Sequence, residues 1–211
     1  MIVIANKRTK PENILKKYPD AIIADVTSSA KDGLVMLSPF YPHGDIPVPN
    51  SPGVVSASVE AIWQGLKVFE QADVDTSLFR NVTMKGLKRT IRRFGRPLGH
   101  RFGVEGQELL GYLEARQKIY LPTYRWMLEH HCMHIIERLR KANQTKTIVL
   151  LDYDINPDVD NPKSPLSHAY LVKAYAEGLY PYSDALGTEI AAAPQPTSKN
   201  VPIQLEIPFE F

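Results

Sequence analysis

Glu60, Gln64 and Lys67 are the residues of this sequence whose types and spacing best suit chemistry. If Ser58 to Phe69 forms one helix, at about 100° per residue the three fall within roughly 60° of one another. Val59, Ile62, Trp63, Leu66 and Phe69 cover one broad arc of that helix, and Ala61, Gly65 and Val68 cover the remainder. A surface helix carries a wide polar face; a slit of three polar groups predicts burial on most other sides. Ionisable groups withdrawn from water need partners, and they concentrate at functional sites. An internal Glu–Lys pair that fixes helix packing has the same spacing, so both readings stand. Ser58 as N-cap puts Glu60 in the first turn, where the helix dipole favours an ionised carboxylate. Such a carboxylate suits a nucleophile, a stabiliser of developing positive charge, or a base for water.

Two further segments carry candidate groups. Gly95, Gly99, Gly103 and Gly106 space a stretch that also holds Arg96, His100 and Arg101. Close backbone approach combined with positive charge suits phosphate or pyrophosphate, and a basic surface loop reads the same way. The run Asp152-Tyr-Asp-Ile-Asn156 ends the best strand of the chain, and Ser167-His168 lies near the start of the last helix. Polar groups just past a buried strand commonly face a ligand crevice, where Asp152, Asp154 and Asn156 would bind sugar hydroxyls or orient water. Turn formation before Pro157 is the alternative. His130 and His134 share a helical face, but no second ligand pair accompanies them, so no metal site is expected.

The elements that must position these groups begin with a short strand from Ile2 to Ala5 and a helix from Pro11 to Tyr18. Ala21 to Val26 reads as a buried strand. From Leu37 to Gly53, Pro39, Pro42, Pro47, Pro49 and Pro52 make a stiff, shaped loop that carries Phe40, Tyr41 and His43. After the Ser58–Phe69 helix, a basic amphipathic helix is expected from Thr83 to Phe94. Helices follow over 107–120 and 123–142, broken at Pro122. Thr147 to Tyr153 is a strand buried on both faces, and a helix capped by Ser164-Pro165 runs to Gly178. Beyond Pro181 the chain is rich in Pro, Ser and Thr, and Ile203 to Phe211 alternates as a strand or docking tail would. The expected fold is α+β and predominantly helical around a small buried sheet. It forms one catalytic domain over residues 1–182, with a Pro-rich tail over 183–211.

Composition narrows the class without deciding it. The 211 residues suffice for a substantial core, and a net charge of +2 demands neither nucleic acid nor membrane. Between Arg80 and Arg101, however, lie Lys85, Lys88, Arg89, Arg92, Arg93 and Arg96 without one acidic residue. The single cysteine, Cys132, excludes an intrachain disulfide and suits a reducing compartment. No apolar run approaches the roughly 20 residues that span a bilayer, so a cytoplasmic protein is expected.

Ser38-Pro-Phe-Tyr-Pro42, followed by Ser58-Val-Glu-Ala-Ile-Trp-Gln-Gly-Leu-Lys67, resembles the NADAR (YbiA-like) N-glycosidase family. That family shows a Ser-x-Asn-Phe-type loop and then Ser-x-Glu-x-x-x-Gln-x-x-Lys. Gly95 to Gly103 stands where it has a basic, glycine-containing segment. Asp152 to Asn156 and Pro165-Leu-Ser-His-Ala169 stand where it has a polar turn and Gly-x-Asn-x-Leu-Gly. The resemblance spans residues 35–180; Pro39 in place of Asn, and Pro-Leu-Ser-His in place of Gly-x-Asn, mark a divergent member.

The resemblance implies a NADAR-like fold and hydrolysis of an N-glycosidic bond in a ribosyl or ADP-ribosyl nucleotide, with no cofactor. It implies Glu60 as the catalytic carboxylate, with Asp152 or Asp154 as a second. Lys67 would pair with Glu60 or neutralise phosphate, and Gln64 and Trp63 would contact ribose or base. Phe40 and Tyr41 would stack on the base, and Arg96, His100 and Arg101 would hold phosphate. Asn156, Ser167 and His168 would complete the opposite wall. The substrate would be a small ribosyl nucleotide or a modified base in nucleic acid, with no membrane partner. A nucleic-acid-directed glycosylase using Lys85 to Arg101 and a non-catalytic ADP-ribose-binding module are the alternatives.

Overall fold

A computed structural model describes residues 1–182; the expected tail over 183–211 lies outside the described residues. The architecture is α+β. In chain order it runs β1 (Ile2–Asn6), α1 (Pro11–Lys17), β2 (Ile22–Asp25), β3 (Ile46–Pro47), β4 (Val55–Ser56) and α2 (Val59–Gly65). There follow β5 (Lys67–Phe69), α3 (Ile91–Phe94), β6 (Pro97–Arg101), β7 (Leu109–Leu110), α4 (Tyr112–Ala115) and α5 (Leu121–His131). The described chain closes with α6 (Met133–Asn143), β8 (Ile148–Asp152) and α7 (His168–Ala176). Two compact units are formed, one from residues 1–38 and 128–181 and the other from 39–127.

The first unit is built on a parallel sheet in the order β1-β8-β2. Ile2 pairs with Ile148 and Asn6 with Asp152 on one side of β8, and Ile22 pairs with Ile148 on the other. All five residues of β8 are buried, which is why its apolar run is continuous rather than alternating. Val149 and Leu151 pack with Ile14 of α1, so Ile148 and Leu150 point to the other face. The helix expected over 123–142 is interrupted at Cys132, so His130 and His134 belong to different helices. Pro122 is not the break. Helical structure runs through it: α4, the wide turn over Arg116–Tyr120 and α5 follow one another without a gap, and the Leu121 N–H reaches back five residues to the Arg116 carbonyl just before the proline.

The second unit holds the antiparallel pair β3-β4 and the antiparallel sheet β5-β6-β7. The helix expected to reach Phe69 stops at Gly65, with Leu66 as its cap. Backbone pairing competes with further helix: Arg101 N–H donates to Leu66 O, and Lys67, Val68 and Phe69 register against His100, Gly99 and Pro97. Gly65 is required there because a Cβ would stand 2.4 Å from the Phe79 ring. The expected basic helix over 83–94 shrinks to the single turn of α3. The glycine-spaced stretch is a strand, β6, and the 107–120 segment divides into β7, α4 and a wide turn over Arg116–Tyr120.

Gly103 has φ +92°, and a Cβ on it would stand 2.2 Å from the Asn50 carbonyl oxygen. Gly103→Ala is expected to destabilise by about 1–3 kcal/mol from backbone strain, with the overlap added. Gly86, also at positive φ but with open space around a Cβ, is the control. In denaturant titration Gly103→Ala must cost more than Gly86→Ala.

Candidate functional site

The second unit brings together the polar groups of α2, β5 and β6. Ser58 caps α2, its Oγ accepting the Ala61 N–H at 3.2 Å, and this sets Glu60 in the first turn as expected. The Glu60 N–H donates to the Pro39 carbonyl at 2.8 Å, which ties the helix to the proline-rich loop carrying Phe40 and Tyr41. Glu60 and Gln64 are both buried. Gln64 Nε2 donates to Glu60 Oε1 at 2.9 Å, while Gln64 Oε1 accepts the Arg89 N–H at 3.2 Å. The Arg89 N–H can only donate, so it fixes which end of the Gln64 amide faces Glu60. Gln64 therefore orients Glu60, with both ends of its amide engaged inside the protein.

Lys67 reaches this site from β5 rather than from the helix stripe. Burial holds its ammonium below the ordinary lysine range, with the Arg89 charge adding and the Glu60 charge opposing. Its Nζ lies 5.9 Å from the centroids of both Trp63 and Phe69. Trp63 lies against His100 with centroids 3.9 Å apart, and meets Tyr112 and Tyr120 edge-on at 5.8 and 5.7 Å. A buried carboxylate, a desolvated amine and an aromatic cluster thus occupy one neighbourhood. That set can stabilise developing cationic charge beside a flat heterocycle.

Three residues expected to hold phosphate do other work. His100 is buried, and its pKa is lowered to about 3, mainly by burial, with Lys67 adding and the Trp63 backbone opposing. It is a neutral imidazole at physiological pH, not a phosphate-binding cation. Arg96 pairs with Glu70 at 3.4 Å and Arg101 with Asp73 at 2.8 Å. Arg89, expected on the basic helix with its charge toward solvent or nucleic acid, is buried and is the organiser of the segment. Its guanidinium donates to the carbonyls of Lys67, Gln64 and Asp73 and lies 4.9 Å from the centroids of both Phe69 and Phe94. Lys85, Lys88, Arg92 and Arg93 are exposed, and Lys88 Nζ stands 5.7 Å from the Phe40 ring centroid.

Asp152, Asp154, Asn156, Ser167 and His168 belong to the first unit. Asp152 Oδ2 accepts from Ser167 Oγ (2.9 Å), Ala169 N (3.2 Å) and His168 Nδ1 (3.0 Å), and Oδ1 accepts from Tyr153 N (2.7 Å). Ser167, not Ser164, caps the last helix. Asn156 is taken up by its own loop, accepting from Asp158 N and donating to the carbonyls of Asp158 and Ser164. Asp154 is exposed. Among the described residues no group of His, Cys, Asp and Glu side chains is arranged to hold a metal, and no helix is long and apolar enough to cross a membrane.

The sequence model of a family of unknown function (DUF6939) matches residues 6–172. The chain belongs to DUF6939. The matched stretch includes both the Glu60 neighbourhood and the Asp152 network of this DUF6939 member. No curated protein matches the chain.

Proposed function

We propose that this DUF6939 protein hydrolyses an N-glycosidic bond of a ribosyl or ADP-ribosyl nucleotide, with Glu60 as the catalytic carboxylate. What chiefly supports the reading is a buried carboxylate held by Gln64, beside the desolvated Lys67 and the Trp63 aromatic cluster. The resemblance of the Ser58–Lys67 stretch to the NADAR family points the same way. As the C–N bond lengthens, positive charge grows on the ribosyl ring carbon, and a fixed carboxylate stabilises it. Water adds to that carbon, losing a proton to Glu60 or to the departing base. The base leaves protonated and the sugar retains the new hydroxyl.

The test is incubation with phosphoribosylamino-pyrimidines, NAD-related nucleotides and ADP-ribosylated nucleic acid, scored by chromatography for released base or sugar. Release from one of these is the expected result. Ligand-induced stabilisation without release from any of them would favour a binding module over an enzyme.

The exposed Lys85, Lys88, Arg92 and Arg93 favour, as a second reading, a substrate that is part of a nucleic acid. In that case affinity must fall steeply with salt, and Lys88→Ala with Arg92→Ala must flatten the slope by about two phosphate contacts.

A further inference from the structure

We propose that the carboxyl end of the parallel sheet in the first unit is a second ligand site, with Tyr153 and Arg8 as its contacts and a phosphorylated sugar as its ligand. The proposal does not rest on the role given to Glu60. In open parallel sheets ligands gather outside the carboxyl ends of the strands. Here those ends deliver Lys7 after β1, Asp25 at the end of β2 and Tyr153 after β8.

The three are joined by a chain of hydroxyls with a defined direction. Lys7 Nζ pairs with Asp25 Oδ2, and Thr27 Oγ1 donates to Asp25 Oδ1 at 2.8 Å. Thr27 Oγ1 lies 2.8 Å from Ser29 Oγ, and Ser29 Oγ lies 3.2 Å from the Tyr153 hydroxyl. A hydroxyl has one proton to give. That of Thr27 is spent on Asp25, so Ser29 must donate to Thr27 and Tyr153 must donate to Ser29. Every proton in the chain points inward, and the phenol oxygen of Tyr153 is left as an outward-facing acceptor.

Capping of the strand end does not require this length. Thr27, 1% exposed, is already satisfied by Asp25, whereas Tyr153 is 47% exposed and water would solvate it without the relay. An aligned acceptor at an exposed position fits a ligand hydroxyl.

The Asn6 side chain ties the backbone of Tyr153 to that of Arg8. Its Nδ2 donates to the Tyr153 carbonyl at 2.8 Å, and its Oδ1 accepts the Arg8 N–H at 3.0 Å. Arg8 is exposed and forms no ion pair among the described residues. A hydroxyl for Tyr153 and an anion for Arg8 together describe a sugar phosphate.

The test is titration of the full chain with ribose 5-phosphate, followed by the NMR signals of the Asn6, Arg8 and Tyr153 backbone amides and the Asn6 side-chain amide. Saturable shifts at these positions are expected, with the same midpoint in Glu60→Gln as in wild type. Tyr153→Phe should weaken binding about threefold to tenfold and Arg8→Ala by about tenfold or more, the scale of one neutral and one charged hydrogen bond. Both positions are exposed, so circular dichroism should show folded variants. Unmoved signals, or an unchanged midpoint in the double variant, would overturn the proposal. Shifts confined to Glu60 and Trp63 would also overturn it while leaving the glycosidase reading intact. Loss of glycosidase activity in Glu60→Gln with these shifts unchanged separates the two sites.

Discussion

Glu60→Gln should retain the fold and lose at least about a hundredfold in turnover of a ribosyl substrate, the scale on which one preorganised electrostatic group acts. The replacement is nearly isosteric, and its carbonyl oxygen can still accept from Gln64 Nε2, so little packing is lost. What disappears is the negative charge. Lys67 reports that loss without any substrate, because Glu60 is the group that raises the Lys67 pKa against burial and Arg89. In the variant, titration of the Lys67 side chain followed by NMR should move to lower pH. Full turnover in Glu60→Gln would remove α2 from the chemistry. An unmoved Lys67 titration would break the electrostatic link between the two residues. Gln64→Leu should have a smaller effect on turnover, since it removes the group that orients Glu60 and leaves the carboxylate in place.

Part of that candidate site was legible in the sequence, but its construction was not. Ser58 and Glu60 read correctly because an N-cap and a first-turn acid are local features, decided within a few residues. Lys67 was expected on the helix and stands on a strand. Its conformation is set by pairing with His100, which is remote in sequence and invisible to helical periodicity. The same cause explains the basic segment. Five cations without an acid over residues 83–94 suggest a solvated helix, yet the Arg89 N–H is claimed by Gln64 and its guanidinium by three carbonyls, so that residue turns inward. His100 shows the limit most clearly. Its residue type suggests charge, and its burial removes it. The parallel sheet was easier to read, because β8 is apolar on both faces and an entirely buried strand leaves a continuous signature. The hydroxyl chain from Asp25 to Tyr153 left none, since its members meet only when β2 and β8 pair.

Asp152→Ala should cost about 3–5 kcal/mol, because it strands a buried positive partner rather than merely deleting a contact. The charge state follows from geometry. His168 Nε2 lies 2.8 Å from the Val26 carbonyl, which can only accept, so Nε2 carries a proton. Nδ1 faces Asp152 Oδ2, which already accepts from Ser167 Oγ and Ala169 N, so Nδ1 carries one too. The folded protein therefore holds an imidazolium–carboxylate pair. Burial acts against both charges and is outweighed. Asp152 and the Val26 carbonyl, with Asp154, raise the His168 pKa, while His168, Ala169 and Ser167 lower that of Asp152. The signs fix the pH dependence. The His168 contribution is complete below its unfolded pKa of about 6.5 and is lost as pH rises through the higher folded value. The Asp152 contribution is complete above about pH 3.9 and is lost as pH falls through the lower folded value. Stability from the pair should thus be greatest between about pH 4 and 6.5, declining on both sides. Urea unfolding across pH should show this profile in wild type and a flatter one in Asp152→Asn, which keeps the shape and removes the charge. A wild-type profile that is flat from pH 4 to 9 would mean that His168 is neutral in the folded state. If Asp152→Asn instead kept its stability and lost turnover, Asp152 would be a catalytic carboxylate rather than the anchor of α7.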